Sequence, residues 1–267
     1  MGEAHHPGKV YLVGAGPGDP GLLTVRGAEV LSLCHVVVYD ALVNEGLLSY
    51  APAEAERIFV GEAHTAHRLT QEEILRLMID RARRGLRVVR LKGGDPCIFG
   101  RGGEEAMALR EAGIPFEIVP GVSAGHAAAA YAGIPLTHRG LASSVAFVTG
   151  HECAESPRPV RWDAVAHAVD TLVIFMGARQ LPRIVERLLQ AGRAPKTPIA
   201  VIERGTYPDQ RVRVATLETI FARMAEEPIR SPALIVVGDV VALREDLAWF
   251  EKAETFAATA AVKGREA

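Results

Sequence analysis

The chain has 267 residues, 49% of them hydrophobic and 23% charged, which is ordinary globular usage and length for about two domains. Its 30 basic and 32 acidic residues leave a net charge of −2, so no global basic field points to nucleic acid or an anionic membrane. The 26 glycines and 16 prolines fall at discrete points between apolar runs, which implies tight turns rather than disorder.

In chain order, the opening Met1–Lys9 is polar and His-rich, with no apolar stretch behind it of the kind a signal peptide carries. Short β-branched runs at Lys9–Val13, His35–Tyr39, Arg87–Leu91 and Phe116–Val119 read as strands. Between the second and third lies the clearest helix, Thr70–Arg84. Thr70 and Glu73 form a capping box, and Ile74, Leu77, Met78 and Ala82 make one apolar face. Arg83 and Arg84 suit the helix C-terminus and Gly85 ends it. Strands alternating with helices predict an α/β domain with a mainly parallel sheet.

The second half predicts strands at Val145–Thr149, Thr171–Phe175, Pro198–Ile202, Arg211–Ala215 and Ala233–Val237, and a helix at Leu181–Gln190. The polar–apolar alternation of Arg211–Ala215 suits an antiparallel strand with one wet face. The boundary is placed near Val119-Pro-Gly121, giving domains 1–120 and 121–246 with a helix over Ser123–Tyr131 at the junction. Gly150–Arg161 reads as a mobile loop, and the Ala-rich tail 247–267 is expected to fray. No fixed-period repeat is present. The longest apolar stretches, Thr171–Ala178 and Ala233–Gly238, are strand-sized and far short of the ~18 residues of a membrane span. Cys34, Cys97 and Cys153 are too scattered for a disulfide framework or a metal-binding pair, so a cytoplasmic protein is expected.

Three motifs invite a chemical reading. Gly16, Gly18 and Gly21 satisfy G-x-G-x-x-G after the first strand, with Asp40 ending the second. A dinucleotide turn must open a helix at once, however, and Pro20 disfavours helix at Asp19 while the next good N-cap is Thr24. NAD is therefore not expected. Gly121-Val-Ser-Ala-Gly125 matches a hydrolase elbow, but the last histidine is His167, and the only aspartate between it and Ser123, Asp163, stands one helical turn before it. The histidines, among them His5, His6, His64 and His67, show no metal-ligand spacing, and no metal is expected. The third motif, Leu91–Glu105, packs five glycines into eleven residues at a strand's C-terminal end, where α/β sheets take ligands and where glycine allows close approach. Arg101, between glycines, is free to project; Glu104 follows at a helix start; Ile98 and Phe99 are apolar inside an otherwise polar loop.

These segments, with Val13–Val25, Val38–Asp40, Pro120–Ala124, Pro135–Arg139, Val148–His151, Phe175–Gly177 and Ser231–Gly238, resemble the tetrapyrrole methylase family from about Lys9 to Val241. The resemblance implies two α/β domains with an S-adenosylmethionine cleft between them and a homodimer. It also implies a tetrapyrrole substrate, uroporphyrinogen III, methylated twice to precorrin-2 for sirohaem or cobalamin, with S-adenosylhomocysteine released. It implies no counterpart of the dehydrogenase/chelatase module that some relatives carry. By position, it puts cofactor contacts at Pro17, Gly93, Gly94, Asp95, Ile98, Ser123, Ala124, Met176, Gly205 and Ala233, with Asp95 meeting the cofactor ammonium. It assigns Asp40, Arg101 and Glu104 to catalysis, and Arg101, Glu104, Arg139 and Met176 to the substrate, whose eight carboxylates call for arginine forks. Glu62 stands where relatives commonly have lysine, and that lysine is read as dispensable. The same fold serves later corrin-pathway methyltransferases, but Gly100–Glu105 and Thr149-Gly-His151 favour the first reading. A cofactor-binding protein without catalysis is a further alternative, for which Glu62 is the only hint.

Overall fold

A computed structural model of the chain describes residues 8–61, 69–151, 159–225 and 228–250. Glu62, His5, His6, His64, His67, Cys153 and the tail from residue 251 lie outside the described residues, as does most of the loop expected over Gly150–Arg161. The described residues form two compact units that divide between Ala124 and Gly125.

The first unit carries strands β1 (Val10–Gly14), β2 (Val36–Tyr39), β3 (Glu56–Phe59), β4 (Val88–Lys92) and β5 (Phe116–Val119), with helices α1 (Val25–Ser32), α2 (Gln71–Arg83) and α3 (Gly102–Glu111). The strands form one parallel sheet in the order β3-β2-β4-β1-β5. Val30 and Leu31 of α1 pack on one face with Val13, Val37, Val89 and Leu91. Ile74 and Met78 of α2 and Leu109 of α3 pack on the other with Leu12, Val38 and Val88. The chain thus leaves β1 along one face and its neighbour β4 along the other. Where neighbouring strands send their connections to opposite faces, a crevice opens at their C-terminal ends.

The backbone at that edge is pinned by glycine. Gly16 and Gly94, both in the left-handed region (φ 77° and 68°), exchange backbone hydrogen bonds of 3.2 and 2.7 Å. A Cβ at Gly121, just past β5, would lie 2.4 Å from the Gly94 carbonyl oxygen and 2.6 Å from Gly14 Cα. Three chain segments therefore meet backbone to backbone.

As expected, Thr24 is the N-cap of α1, its hydroxyl accepting from Gly27 N–H at 3.0 Å, and Thr70 with Glu73 completes the capping box of α2. One salt-bridge cluster ties the β1–β5 edge to α1: Glu117 accepts from Lys9 at 2.7 Å and from Arg26 at 2.9 Å. The Arg26 and Lys9 hydrogen bonds hold the Glu117 carboxyl well below the usual range, at about 2.

The second unit carries α4 (Ala124–Tyr131) at the junction, then β6 (Val145–Thr149), α5 (Trp162–Ala168), β7 (Thr171–Phe175), α6 (Leu181–Gln190), β8 (Pro198–Glu203), β9 (Arg211–Thr216), α7 (Ile220–Ala225), β10 (Ala233–Val237) and α8 (Arg244–Leu247). Its sheet runs β6-β7-β10-β8-β9 and is mixed: β6 and β7 are parallel, and every other pair is antiparallel. Sequence patterning anticipates the antiparallel β9 but not β10 inserted between β7 and β8. At the start of the tail, Trp249 donates to the Ala130 carbonyl and stacks edge-on against Tyr131. Among the described residues no helix is long and apolar enough to cross a membrane.

Two outcomes follow from these contacts. The three atoms nearest a Cβ at Gly121 are all backbone, so no rotamer change relieves the clash, and Gly121→Ala is expected to cost about 1–3 kcal/mol in urea unfolding. Gly103→Ala, whose Cβ meets nothing within 4 Å, should be neutral or stabilising; a Gly121→Ala protein as stable as its parent would contradict the three-segment contact. Glu117, with a depressed folded pKa near 2 against ~4.3 unfolded, adds stability that is present above about pH 5 and lost as pH falls through 2. Glu117→Gln should therefore lower the melting temperature at pH 7, with most of that deficit gone at pH 2. An equal deficit at both pH values would show that the carboxylate's charge is not the cause.

Candidate active-site residues

The turn after β4 is built to expose backbone. Asp95 holds it from within: its Oδ1 accepts from Cys97 N–H at 2.7 Å and its Oδ2 from Gly121 N–H at 2.9 Å. Both oxygens that the resemblance would turn toward a cofactor ammonium are thus engaged by backbone, which makes Asp95 first the clasp between two turns. Gly100 and Gly102 lie so close to the Pro96 carbonyl oxygen that a Cβ on either would approach it within 2.6 Å. That tight coil forces Phe99 and Arg101 into left-handed backbone (φ 52° and 57°), a strained conformation of the kind that clusters at functional sites. Ile98 and Phe99 are exposed.

Arg101 departs from expectation. It is not free to await a ligand, because its Nε and Nη2 grip Glu104 at 3.1 and 2.6 Å. The pair sits at i, i+3 across the start of α3, which is why a projecting arginine finds a local partner. The contact raises the Arg101 pKa and lowers that of Glu104, so both stay ionised. Half of each side chain remains open to solvent.

Asp40, immediately after β2, faces inward to a buried cation. Its Oδ2 accepts from Arg90 Nη2 at 3.0 Å and its Oδ1 from Leu42 N–H at 3.1 Å. Gly93 brings this turn to the β4 loop: a Cβ there would lie 2.7 Å from the Leu42 Cβ. Arg90 and Lys92, two apart on β4, share the face that Val88 begins. Both point to Glu105 of α3, whose Oε1 accepts from Lys92 Nζ at 3.0 Å and from Gln71 at 2.9 Å, with Arg90 Nε at 3.5 Å. Burial, reinforced by Arg90, pushes the Lys92 pKa down against the pull of Glu105.

In the second unit the named residues gather at one end of three adjacent strands. Met176 follows β7, Ala233 opens β10 opposite Glu203, and Gly205 follows β8. Met176, Arg204 and Thr206 all have positive φ (55°, 47° and 71°). Gly205 admits no side chain, since its Cβ would lie 2.3 Å from that of Ala128 on α4. Buried Glu203 anchors the loop from below, accepting from Arg211 at 2.7 Å, from Arg213 at 2.5 Å and from the Arg230 N–H at 2.7 Å. Burial works to raise its pKa, but those hydrogen bonds keep it below the usual range.

The structure thus brings Pro17, Gly93, Gly94, Asp95, Ser123 and Ala124 to one sheet edge of the first unit, with Asp40 beside them and Ile98, Arg101 and Glu104 on the loop that continues from it. Met176, Gly205 and Ala233 form a second group. Arg139 lies in the exposed turn closed by the His138–Ala142 bridge, and no described hydrogen bond or ion pair joins it to that group. Sequence reasoning missed Arg90, Lys92 and Glu105, although two basic residues inside an apolar strand were a legible sign. Among the described residues no group of three His, Cys, Asp or Glu side chains could hold a metal ion.

The chain is similar to known proteins. The chain is 51% identical over 244 residues to a sirohaem synthase of Azotobacter vinelandii, covering 91% of this chain and 52% of that protein. It therefore spans about half the length of such relatives. It is 51% identical over 234 residues to a uroporphyrinogen-III C-methyltransferase of Priestia megaterium, covering 88% of this chain and 98% of that one. Among solved structures, the uroporphyrin-III C-methyltransferase of Thermus thermophilus complexed with S-adenosylhomocysteine matches with a TM-score of 0.75 at 44% identity. That match covers 88% of this chain and all of the Thermus chain. The family described as Tetrapyrrole (Corrin/Porphyrin) Methylases matches residues 9–220. The chain, with two α/β units and a glycine-pinned sheet edge, belongs to the tetrapyrrole methylases.

Proposed function

We propose that the chain is an S-adenosylmethionine-dependent C-methyltransferase that converts uroporphyrinogen III to precorrin-2, methylating C2 and then C7, on the route to sirohaem or cobalamin. The observation that carries this reading is the juxtaposition, at the β1/β4 edge, of a glycine-pinned turn, an exposed Arg101–Glu104 pair and the carboxylate of Asp40. The likeness to the Priestia methyltransferase over nearly all of that protein supports the choice of substrate.

The residues present suit the cofactor. Ile98 and Met176 are apolar yet 38% and 52% exposed, as faces that a nucleoside or thioether would cover. Pro17, Gly93, Gly94, Ser123, Ala124, Gly205 and Ala233 are small or leave backbone bare, and Asp95 keeps unused lone pairs for an ammonium. When bound, S-adenosylmethionine supplies a methyl already activated on a sulfonium, so transfer calls for no metal. What remains for the protein is orientation of the acceptor carbon and removal of a proton from the alkylated macrocycle. Arg101 and Arg139 anchor substrate carboxylates. Glu104 holds the Arg101 fork in the planar geometry a carboxylate needs and yields it on binding. Asp40, acceptor-only and held at both oxygens, takes the proton. The protein acts as a homodimer in the cytoplasm on this reading, and its free Cys34 and Cys97 suit that compartment.

Arg101 provides the sharpest test. Arg101→Ala should abolish methyl transfer while leaving affinity for S-adenosylmethionine, titrated in chelator-treated protein, within about threefold, or roughly 0.7 kcal/mol. Arg101→Lys keeps the charge but loses the fork, and should lose about 10- to 150-fold, the worth of one charged hydrogen bond. Near-normal single-turnover methylation by the lysine variant would remove Arg101 from the substrate site. Loss of cofactor binding on chelation, restored by a divalent ion, would refute metal-free chemistry.

A further inference from the structure

The charges behind Asp40 are expensive, and nothing in the packing of β4 requires them. Arg90 and Lys92 are 4% and 6% exposed on a central strand whose same face begins with Val88, and Glu105 is wholly buried. Apolar residues of similar volume in their place would be neutral or stabilising. The arrangement is also lopsided. Oε1 of Glu105 accepts from Gln71 and Lys92 and stands 3.5 Å from Arg90 Nε as an ion pair without a hydrogen bond, whereas Oε2 is buried with no hydrogen-bond partner.

Arg90 is held on three sides. Its Nη1 donates to the carbonyls of Val38 (3.3 Å) and Leu91 (3.0 Å), and its Nε faces Glu105. Its remaining donor, Nη2, reaches Asp40, the one charged member of the network that opens to solvent, with its side chain 24% exposed. The network therefore has a fixed interior and a single charged outward end, its other partly exposed member being the neutral Gln71.

We propose that Arg90 and Glu105 are positioning residues for Asp40: Glu105 locks the Arg90 guanidinium, and Arg90 fixes the orientation of the carboxylate that takes the substrate proton. This rests on the reading of Asp40 given above. Lys92 balances Glu105 and Arg90 balances Asp40, so that the four charges sum to zero with Asp40 as the exposed anion. Misplacing a catalytic group by about 1 Å can cost 10²-fold in rate without touching ligand affinity.

The test removes the pair together, because Arg90→Met with Glu105→Gln deletes one buried cation and one buried anion, leaves the charge sum of the network unchanged, and keeps an amide oxygen at position 105 to accept from Lys92. With the parent protein first shown to methylate uroporphyrinogen III, the double variant is expected to melt near the parent. It should bind S-adenosylmethionine and substrate within threefold and lose tenfold or more in kcat. The same pair of changes in an Asp40→Asn background should alter the single-turnover rate less than threefold, because Arg90 then has no carboxylate to orient. Lys92→Met with Glu105→Gln, which removes one buried cation and one buried anion and leaves Arg90 paired with Asp40, is judged by the same tenfold threshold if the first double variant does not fold. A kcat within tenfold of the parent, or a rate loss matched by lost cofactor binding, would overturn the proposal and leave the network a structural one. A parent that methylates nothing would overturn the functional reading instead, and this inference with it.

Discussion

Everything proposed for the first unit depends on backbone meeting backbone at Gly14, Gly94 and Gly121. No side chain fits between these positions, so the turns after β1, β4 and β5 are set at distances shorter than any packed side chains would allow. The Gly16–Gly94 hydrogen bonds and the Asp95 clasp on Gly121 then fix their orientation. A parallel sheet already opens a crevice where its connections diverge; the glycines turn that crevice into a floor of bare peptide. The strain at Phe99 and Arg101 is a consequence, since the chain must coil tightly around Pro96 before α3 can begin.

Both units also bury charge beside the candidate site residues, and they do so differently. In the second unit, Glu203 is saturated by two arginines and a peptide N–H, a satisfied anchor beneath the Arg204–Thr206 loop. In the first, Glu105 has one crowded oxygen and one without a partner. A saturated carboxylate contributes rigidity; an unsaturated one costs stability, and such costs are retained where they serve a reaction. That contrast sets the two buried networks apart within a single chain.

Much of this was legible in the sequence because local rules sufficed. Thr24 and Thr70 are N-caps by side-chain chemistry alone, and the glycine run of Leu91–Glu105 announces close approach without reference to the fold. Features that depend on tertiary partners were not legible. Glu56–Phe59 lacks a β-branched run and forms β3 only because β2 offers an edge. The direction of β10 follows from its neighbours β7 and β8, not from its own five residues. Arg101 was expected to project freely, yet its i, i+3 partner Glu104 stood in plain view; the glycines between them obscured that a helix begins at Gly102. Arg90 and Lys92 read as strand residues, and only the arrival of α3 shows that they share Glu105.

The most direct measurement of the central claim is the mass of the product formed when the protein meets S-adenosylmethionine and uroporphyrinogen III under reducing conditions. The account predicts the gain of two methyl groups in successive steps, with S-adenosylhomocysteine released at each. A macrocycle recovered at its starting mass, with the cofactor bound but unspent, would contradict it.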